Sequence, residues 1–404
     1  MRGDVQYEPV SVSAASAVGS AVAATTQLGV HFAAEAGEGN VVVSPASIAV
    51  ALALLAEGAD GQTQAAFDEV LGAAGPERTA AFSALQDAVL AYDGDPCLVQ
   101  AEELPERPLL HLANGITADE ARPLEQEYLH ALARAYGAGV RTADFAGGKG
   151  KPVLDAWVDA HTGGLIEESA IDPDADTAFV LQNAVLMAAR WRSPFAEAGT
   201  CERPFTTASD AVRAPATMHQ TLTAGYVEDG GMQAVRLPYT EAFAMDVVLP
   251  AEDASPGDLS AEEWTRISEA LGSGNADTEV ALALPKLSFR SSTALDEAFR
   301  TIGLGPMYSP RQPGRHHARG LRLAVRAPGC AAGGRGGHRR RGRHGDHGRP
   351  VRSSAAAGRD DGEPAVRPAD RGRGDRLAAV PRGRQRPGGV RACGEHLREA
   401  GDDR

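Results

Sequence analysis

Residues 40–72 constrain this chain more than any other stretch. Val41, Val42 and Val43 form a β-branched run that predicts a short buried strand. Ser44-Pro45 ends it, the serine able to cap a helix and the proline pre-set for a first helical turn. Ile48, Leu52 and Leu55 then recur at helical spacing, with alanines between them that let another element approach closely. Gly58 ends that helix, Ala59-Asp60-Gly61 turns the chain, and Thr63 opens a second helix that runs to Leu71 before Gly72. A strand feeding two packed helices occurs in many folds. The order N-x-x-x-S-P-x-S-I, then A-L-x-L-L-x-x-G-A-x-G-x-T, is far more specific.

Further motifs follow downstream. They are Leu112-Ala113-Asn114-Gly115 as a strand, Tyr136-Gly137-Ala138 before Asp144-Phe145, and Trp157-Val158 with Thr162-Gly163-Gly164-Leu165-Ile166 as a helix. Residues 181–191 (LQNAVLMAARW) form another strand; Thr200 with Pro204-Phe205, and Met218 with Gln220, come next. Residues 235–239 (VRLPY), 247–250 (VVLP), 283–289 (ALPKLSF) and a helix over 295–304 close the series. About a dozen motifs in this order, over roughly residues 20–307, resemble the serpin (serine protease inhibitor) family, in its bacterial type. The resemblance implies an α+β fold, several helices around three β-sheets, as one domain over residues 1–310. It also implies a monomer without a cofactor, whose partner is a serine protease. Such a protein is no enzyme: a protease cleaves its exposed loop, and the loop inserts as an extra strand with the acylated protease attached.

Composition breaks near residue 310. Residues 1–310 hold 17 Lys+Arg against 44 Asp+Glu, while residues 311–404 hold 23 Arg, no Lys and 10 Asp+Glu. The balances are −27 and +13, which sum to the net −14. All 20 aromatic residues and every Ile precede 311, and Gly and Arg make up 42 of the last 94 positions. A segment so poor in large apolar side chains cannot offset its ordering entropy, so residues 311–404 are predicted disordered and the fold incomplete after about residue 307.

Two readings of that segment compete. Gly333-Gly334-Arg335-Gly336-Gly337 and Arg339-Arg340-Arg341 resemble an RGG-type arm for nucleic acid on a non-inhibitory serpin core, but the aromatics that stack on bases are missing. The other reading is a shifted frame in a GC-rich gene. Plausible codons for residues 311–317, advanced by one nucleotide, permit A-N-L-A-G-I-T, close to a serpin A-D-L-S-G-I. The same shift over 330–348 permits V-D-E-E-G-T-A-A-A-G-A-T, similar to the serpin hinge, and over 375–387 it permits F-L-A-A-V-S-D-P, similar to the family's terminus. Three matches in order favour the frameshift. In the printed frame there is then no hinge and no scissile bond. Losing one central strand removes about five buried side chains, each contributing roughly 1.5–3 kcal/mol. The expected product folds poorly and inhibits nothing.

The four cysteines (Cys97, Cys201, Cys330, Cys393) lie far apart and show no zinc or disulfide spacing. The first 36 residues lack a basic start followed by an unbroken apolar core, so residues 11–36 read as an amphipathic helix and not as a signal peptide. The chain as written is expected to be cytoplasmic, although serpins often act outside cells, and no run approaches a membrane span. No nucleophile elbow, zinc-protease, P-loop or dinucleotide motif is present. Asp172, Asp174 and Asp176 alternate like the start of a calcium loop, but Thr177 stands where glycine is needed and Asn183 where glutamate is needed. A solvated acidic turn is expected there, and no metal site among the tail histidines. By the resemblance, Ser44, Ser47 and Asn183 match the serpin shutter, a polar cluster beneath the main sheet, and Trp191 matches the tryptophan near the top of that sheet. Ordinary capping and core packing are the competing roles for each. The shutter's usual histidine occurs only in the shifted frame.

Overall fold

The computed structural model describes residues 5–35, 39–273, 278–294, 296–308 and 322–327. All of them fall in one unit, Met1–Arg335; the other unit, Gly336–Arg404, contains no described residue. In chain order the helices are α1 Val18–Glu35, α2 Pro45–Ala56, α3 Gly61–Val70, α4 Gly75–Leu90, α5 Gln126–Tyr136, α6 Gly150–His161, α7 Ala261–Gly272 and the short α8 Asp296–Phe299. The strands are β1 Leu109–Asp119, β2 Gly139–Ala143, β3 Phe179–Ala188, β4 Thr200–Glu202, β5 Phe205–Thr206, β6 Val212–Arg213, β7 Ala216–Asp229, β8 Met232–Pro238, β9 Ala244–Leu249, β10 Thr278–Pro285, β11 Phe289–Ala294 and β12 Arg322–Ala327.

Helix α2 is the hub. Ser44 caps it with its hydroxyl and Pro45 fills its first turn. The following ten residues, 47–56, are all buried, as a helix apolar on every side must be. Around it pack Leu28 and Phe32 of α1, Phe67 of α3, Phe82 of α4, Leu132 and Tyr136 of α5, Ile116 of β1 and Phe299 of α8. Elsewhere local signals set the ends of elements. Gly137 takes φ 59° to stop α5, and Ser260 with Glu263 forms a capping box that starts α7.

Three-stranded sheet β2-β1-β3 pairs β1 parallel to β2 and antiparallel to β3, with Asn114 opposite Asn183. The order β10-β7-β8-β9 makes the second sheet, β4 pairing with the start of β7, and its core holds Trp191, Phe195, Met218 and Leu237. Separate two-stranded ladders join β5 to β6 and β11 to β12.

Three expectations are modified. Residues 41–43 are half-buried irregular backbone and not a strand, without a ladder partner among the described residues. Local β propensity does not suffice where no neighbouring backbone closes the donors and acceptors. The helix expected over 295–304 is α8 followed by a wide turn, Arg300–Leu304, kinked where Gly303 adopts φ 95°. Within the stretch expected to lack structure, residues 322–327 form β12 against β11. Their sequence, RLAVRA, centres on a short aliphatic run, Leu323-Ala324-Val325, between two arginines. The rest of 311–404, including the shifted-hinge positions, lies outside the described residues.

Candidate functional site

A line of polar side chains crosses the interior between α2 and α4. It begins at the N-terminus of α2, where the Ser44 hydroxyl accepts from the Ser47 amide at 3.4 Å. The Ser47 hydroxyl donates to Oδ1 of Asn183 on β3. Asn183 Nδ2 donates to Asn114 Oδ1 on β1 at 2.6 Å, and Asn114 Nδ2 donates to Gln86 Oε1 on α4 at 2.8 Å. Gln86 Nε2 ends the line on the Tyr136 carbonyl at 2.7 Å. Ser47, Asn114 and Gln86 are buried, so each group depends on the next for its hydrogen bond. The line ties two strands of one sheet to two helices beneath it, and a shift of β1 against β3 would break it.

Of the residues singled out from sequence, the structure brings Ser47 and Asn183 together; Ser44 takes part only as the helix cap. Asn114 and Gln86 belong to the same line and were not foreseen as site residues. The Leu-Ala-Asn-Gly motif marks a strand but gives no sign that its Asn faces inward, and a glutamine on a helix carries no signal at all.

Helix α6 lies against β1 and β3 of this sheet. Trp157 sits so close over Gly115 that a Cβ there would stand 2.6 Å from the indole Nε1. Gln182 of β3 donates to the Leu154 carbonyl at 3.0 Å. Trp191 lies apart from the polar line, just beyond β3. Its ring is buried, stacked on Tyr239 at 4.4 Å and 11°, and edge-on to Phe195 at 6.3 Å. A single bridge between Trp191 and Tyr239 joins the end of β3 to the end of β8. The acidic turn closes on itself: Asp174 Oδ1 accepts from the Asp176 amide at 3.0 Å and the Thr177 hydroxyl at 2.8 Å. Arg122 donates to the carbonyls of Ala175 and Asp176, both at 2.7 Å.

The sequence profile of the serpin (serine protease inhibitor) family matches residues 21–316. The chain belongs to the serpin family. An uncharacterized serpin-like protein of Thermococcus kodakarensis is 29% identical over 275 residues, which is 66% of this chain and 60% of that protein. The chain therefore spans less than two thirds of the length of that relative. The leukocyte elastase inhibitor of Bos taurus is 28% identical over 291 residues, covering 68% of this serpin and 73% of the bovine one.

Solved structures give the fold. Reaction-loop-cleaved lamprey angiotensinogen superimposes with a TM-score of 0.62 at 24% identity, covering 73% of this chain and 87% of that one. The thermophilic serpin tengpin in its latent state gives 0.59 at 22% identity, covering 72% and 76%. The α+β arrangement of helices around several sheets is thus the serpin fold. Among the described residues, no helix of this serpin is long and apolar enough to cross a membrane.

Proposed function

We propose that this chain descends from a suicide-substrate inhibitor of serine-type endopeptidases and that, with residues 311–404 in their printed frame, it does not inhibit. One observation carries the inhibitor reading. The sheet order β2-β1-β3 ends at β3, whose second edge has no ladder partner among the described residues, and the Ser47–Asn183–Asn114–Gln86 line runs directly from that strand. A cleaved loop adds to such an edge as a strand, next to Asn183 of the polar line. The insertion releases strain stored in a metastable sheet held by a kinetic barrier. Ser44, Ser47 and Asn183 serve as the shutter in this reading, with Asn114 and Gln86 added to it, and Trp191 holds the top of β3.

The loss of inhibition follows from the tail. The family match ends at residue 316, and plausible codons permit a hinge-like run of alanine and threonine only when residues 330–348 are read one nucleotide out of phase. In this frame the chain offers no hinged loop that could acylate a partner protease and then insert. The test is to incubate the printed chain and a frame-restored chain with trypsin-, chymotrypsin-, elastase- and subtilisin-type proteases and to look for SDS-stable complexes. The restored chain should form one with at least one protease, and the printed chain with none. A covalent complex of the printed chain would overturn the loss; failure of the restored chain across the panel would overturn the inhibitory ancestry. The competing basic-arm reading requires the printed chain to bind single-stranded nucleic acid more strongly than its 1–310 fragment at physiological salt.

A further inference from the structure

Three titratable side chains form a hydrogen-bonded chain at the end of α6, reaching β1 three residues before Asn114. Asp93, in the turn after α4, accepts from His111 Nδ1–H at 2.6 Å. His111, on β1, meets His161, the last residue of α6, with Nε2 and Nδ1 3.0 Å apart. The two imidazoles stack at 5.3 Å and 5°, and Trp157 covers His161 from one turn earlier at 4.5 Å. The His111 side chain is only 12% exposed.

The proton count in this chain is limited by its geometry. Because the carboxylate only accepts, His111 keeps its proton on Nδ1. With both rings neutral, His161 Nδ1–H donates to the bare Nε2 of His111. One added proton is accommodated: His111 then carries two N–H groups, paired with Asp93 on one side, and donates from Nε2 to a bare Nδ1 of His161. A second proton sets two N–H groups against each other across 3.0 Å, and the contact cannot survive. The surroundings resist that second proton. Burial first, then His111 and Arg141 of β2, hold His161 down to about 4, with Asp93 opposing. Strand β3 has no titratable residue, and Asp95, on the neighbouring Pro96–Gln100 turn, is engaged with the Cys97 amide at 2.9 Å.

We propose that Asp93, His111 and His161 form an acid-sensitive latch that holds the last turn of α6 on β1 and releases it when both imidazoles are protonated. Of the other contacts of α6, Trp157 over Gly115 and Gln182 on the Leu154 carbonyl lie nearer the middle of the helix, Asp155 accepts from the Ser169 amide at 2.7 Å, and Gln100 Nε2 donates to the Gly163 carbonyl just past the helix end. Release therefore frees the last turn of α6 from β1 while these contacts keep the rest of the helix on the sheet, with or without protease inhibition.

Hydrogen exchange on the full chain between pH 7 and pH values just above global acid unfolding, corrected for intrinsic rates, tests the latch. Amides in the last turn of α6 should lose protection by roughly tenfold for each pH unit as the second proton binds, while those of α2 stay unchanged. His161→Gln and His111→Gln should make α6 protection independent of pH whatever its absolute level, and imidazole NMR of the unsubstituted chain should show the second protonation at the same pH as the loss. If α6 tracks α2 at every pH, or if its pH dependence persists in both Gln variants, the latch is wrong.

Discussion

Asn114 and Asn183 face each other across the antiparallel β1–β3 ladder, and the amide of one donates to the carbonyl oxygen of the other at 2.6 Å. Two short amides at one register position let a polar line pass from strand to strand without a water between them. Asn183→Ala leaves the Ser47 hydroxyl and the Asn114 oxygen unpaired, and each orphaned buried group costs about 1–3 kcal/mol. Asn114→Ala similarly strands Asn183 and Gln86. Urea midpoints of the two single variants and the double should give a double that loses less than the sum, with a coupling of about 0.5–3 kcal/mol. Strict additivity would mean the two amides act independently.

Gly115 has a simpler reason to be glycine. Trp157 presents Nε1, Cε2 and Cζ2 at 2.6, 2.7 and 3.1 Å from where a Cβ would stand. Gly115→Ala should push α6 off β1 and cost about 1–3 kcal/mol as overpacking. Intrinsic Trp fluorescence should shift toward that of an exposed indole. Trp157→Phe removes the offending five-membered ring, so the double variant should recover part of the loss in a thermal melt. A double variant no more stable than Gly115→Ala alone would place the conflict elsewhere.

Where a structural cause was local, the sequence displayed it. Helix α2 was legible because Ser44-Pro45 and the Ile48, Leu52, Leu55 spacing act within a few residues. Ser47 and Asn183 were legible because they sit inside motifs with a fixed order. Asn114 and Gln86 were not, because what makes them site residues is contact across 28 positions of chain, and their types are common on strands and helices. The same holds for His111 and His161, 50 positions apart. Val41, Val42 and Val43 misled for the complementary reason: a strand exists only with a partner, and propensity does not report whether one is there.

Arg78 is 2% exposed and pairs with both Asp68 of α3 and Glu57 at the end of α2, at 3.4 Å for the latter. Thr79 and Tyr136 donate to the same Glu57 oxygen at 2.7 and 3.1 Å. This network locks four helices together, and it contains one positive charge for two carboxylates. Arg78→Met leaves both carboxylates without their cation, and removing one partner of a buried pair costs about 3–5 kcal/mol. A triple variant, Arg78→Met with Glu57→Gln and Asp68→Asn, should be closer to the parent in denaturant midpoint than Arg78→Met alone. If the triple is worse, the network contributes by packing and not by charge.

Two buried tyrosines beside Glu57 bear on how the fold fails in alkali. Burial, and then the negative charge of Glu57, raise both Tyr128 and Tyr136 above the ordinary tyrosine value near 10. For Tyr136, Arg78 opposes the rise without cancelling it. A group whose folded pKa lies above its unfolded one binds its proton more tightly in the native state. Its stabilisation is complete below about pH 10, where both states are protonated, and is lost as pH rises further and only the unfolded chain ionises. Two such tyrosines in one core should make unfolding steep in pH, with their phenolate absorbance appearing in the unfolding transition and not before it. Tyr128→Phe should flatten that slope, because Phe has no proton to release, although the Leu54 carbonyl in the last turn of α2 loses the donor that Tyr128 gives it at 3.2 Å. Tyr136→Phe should flatten it too and start from a lower stability, since the Glu57 carboxylate loses a donor. Unchanged pH slopes in both variants, read by circular dichroism alongside the absorbance, would show that the alkaline transition is driven from outside this cluster.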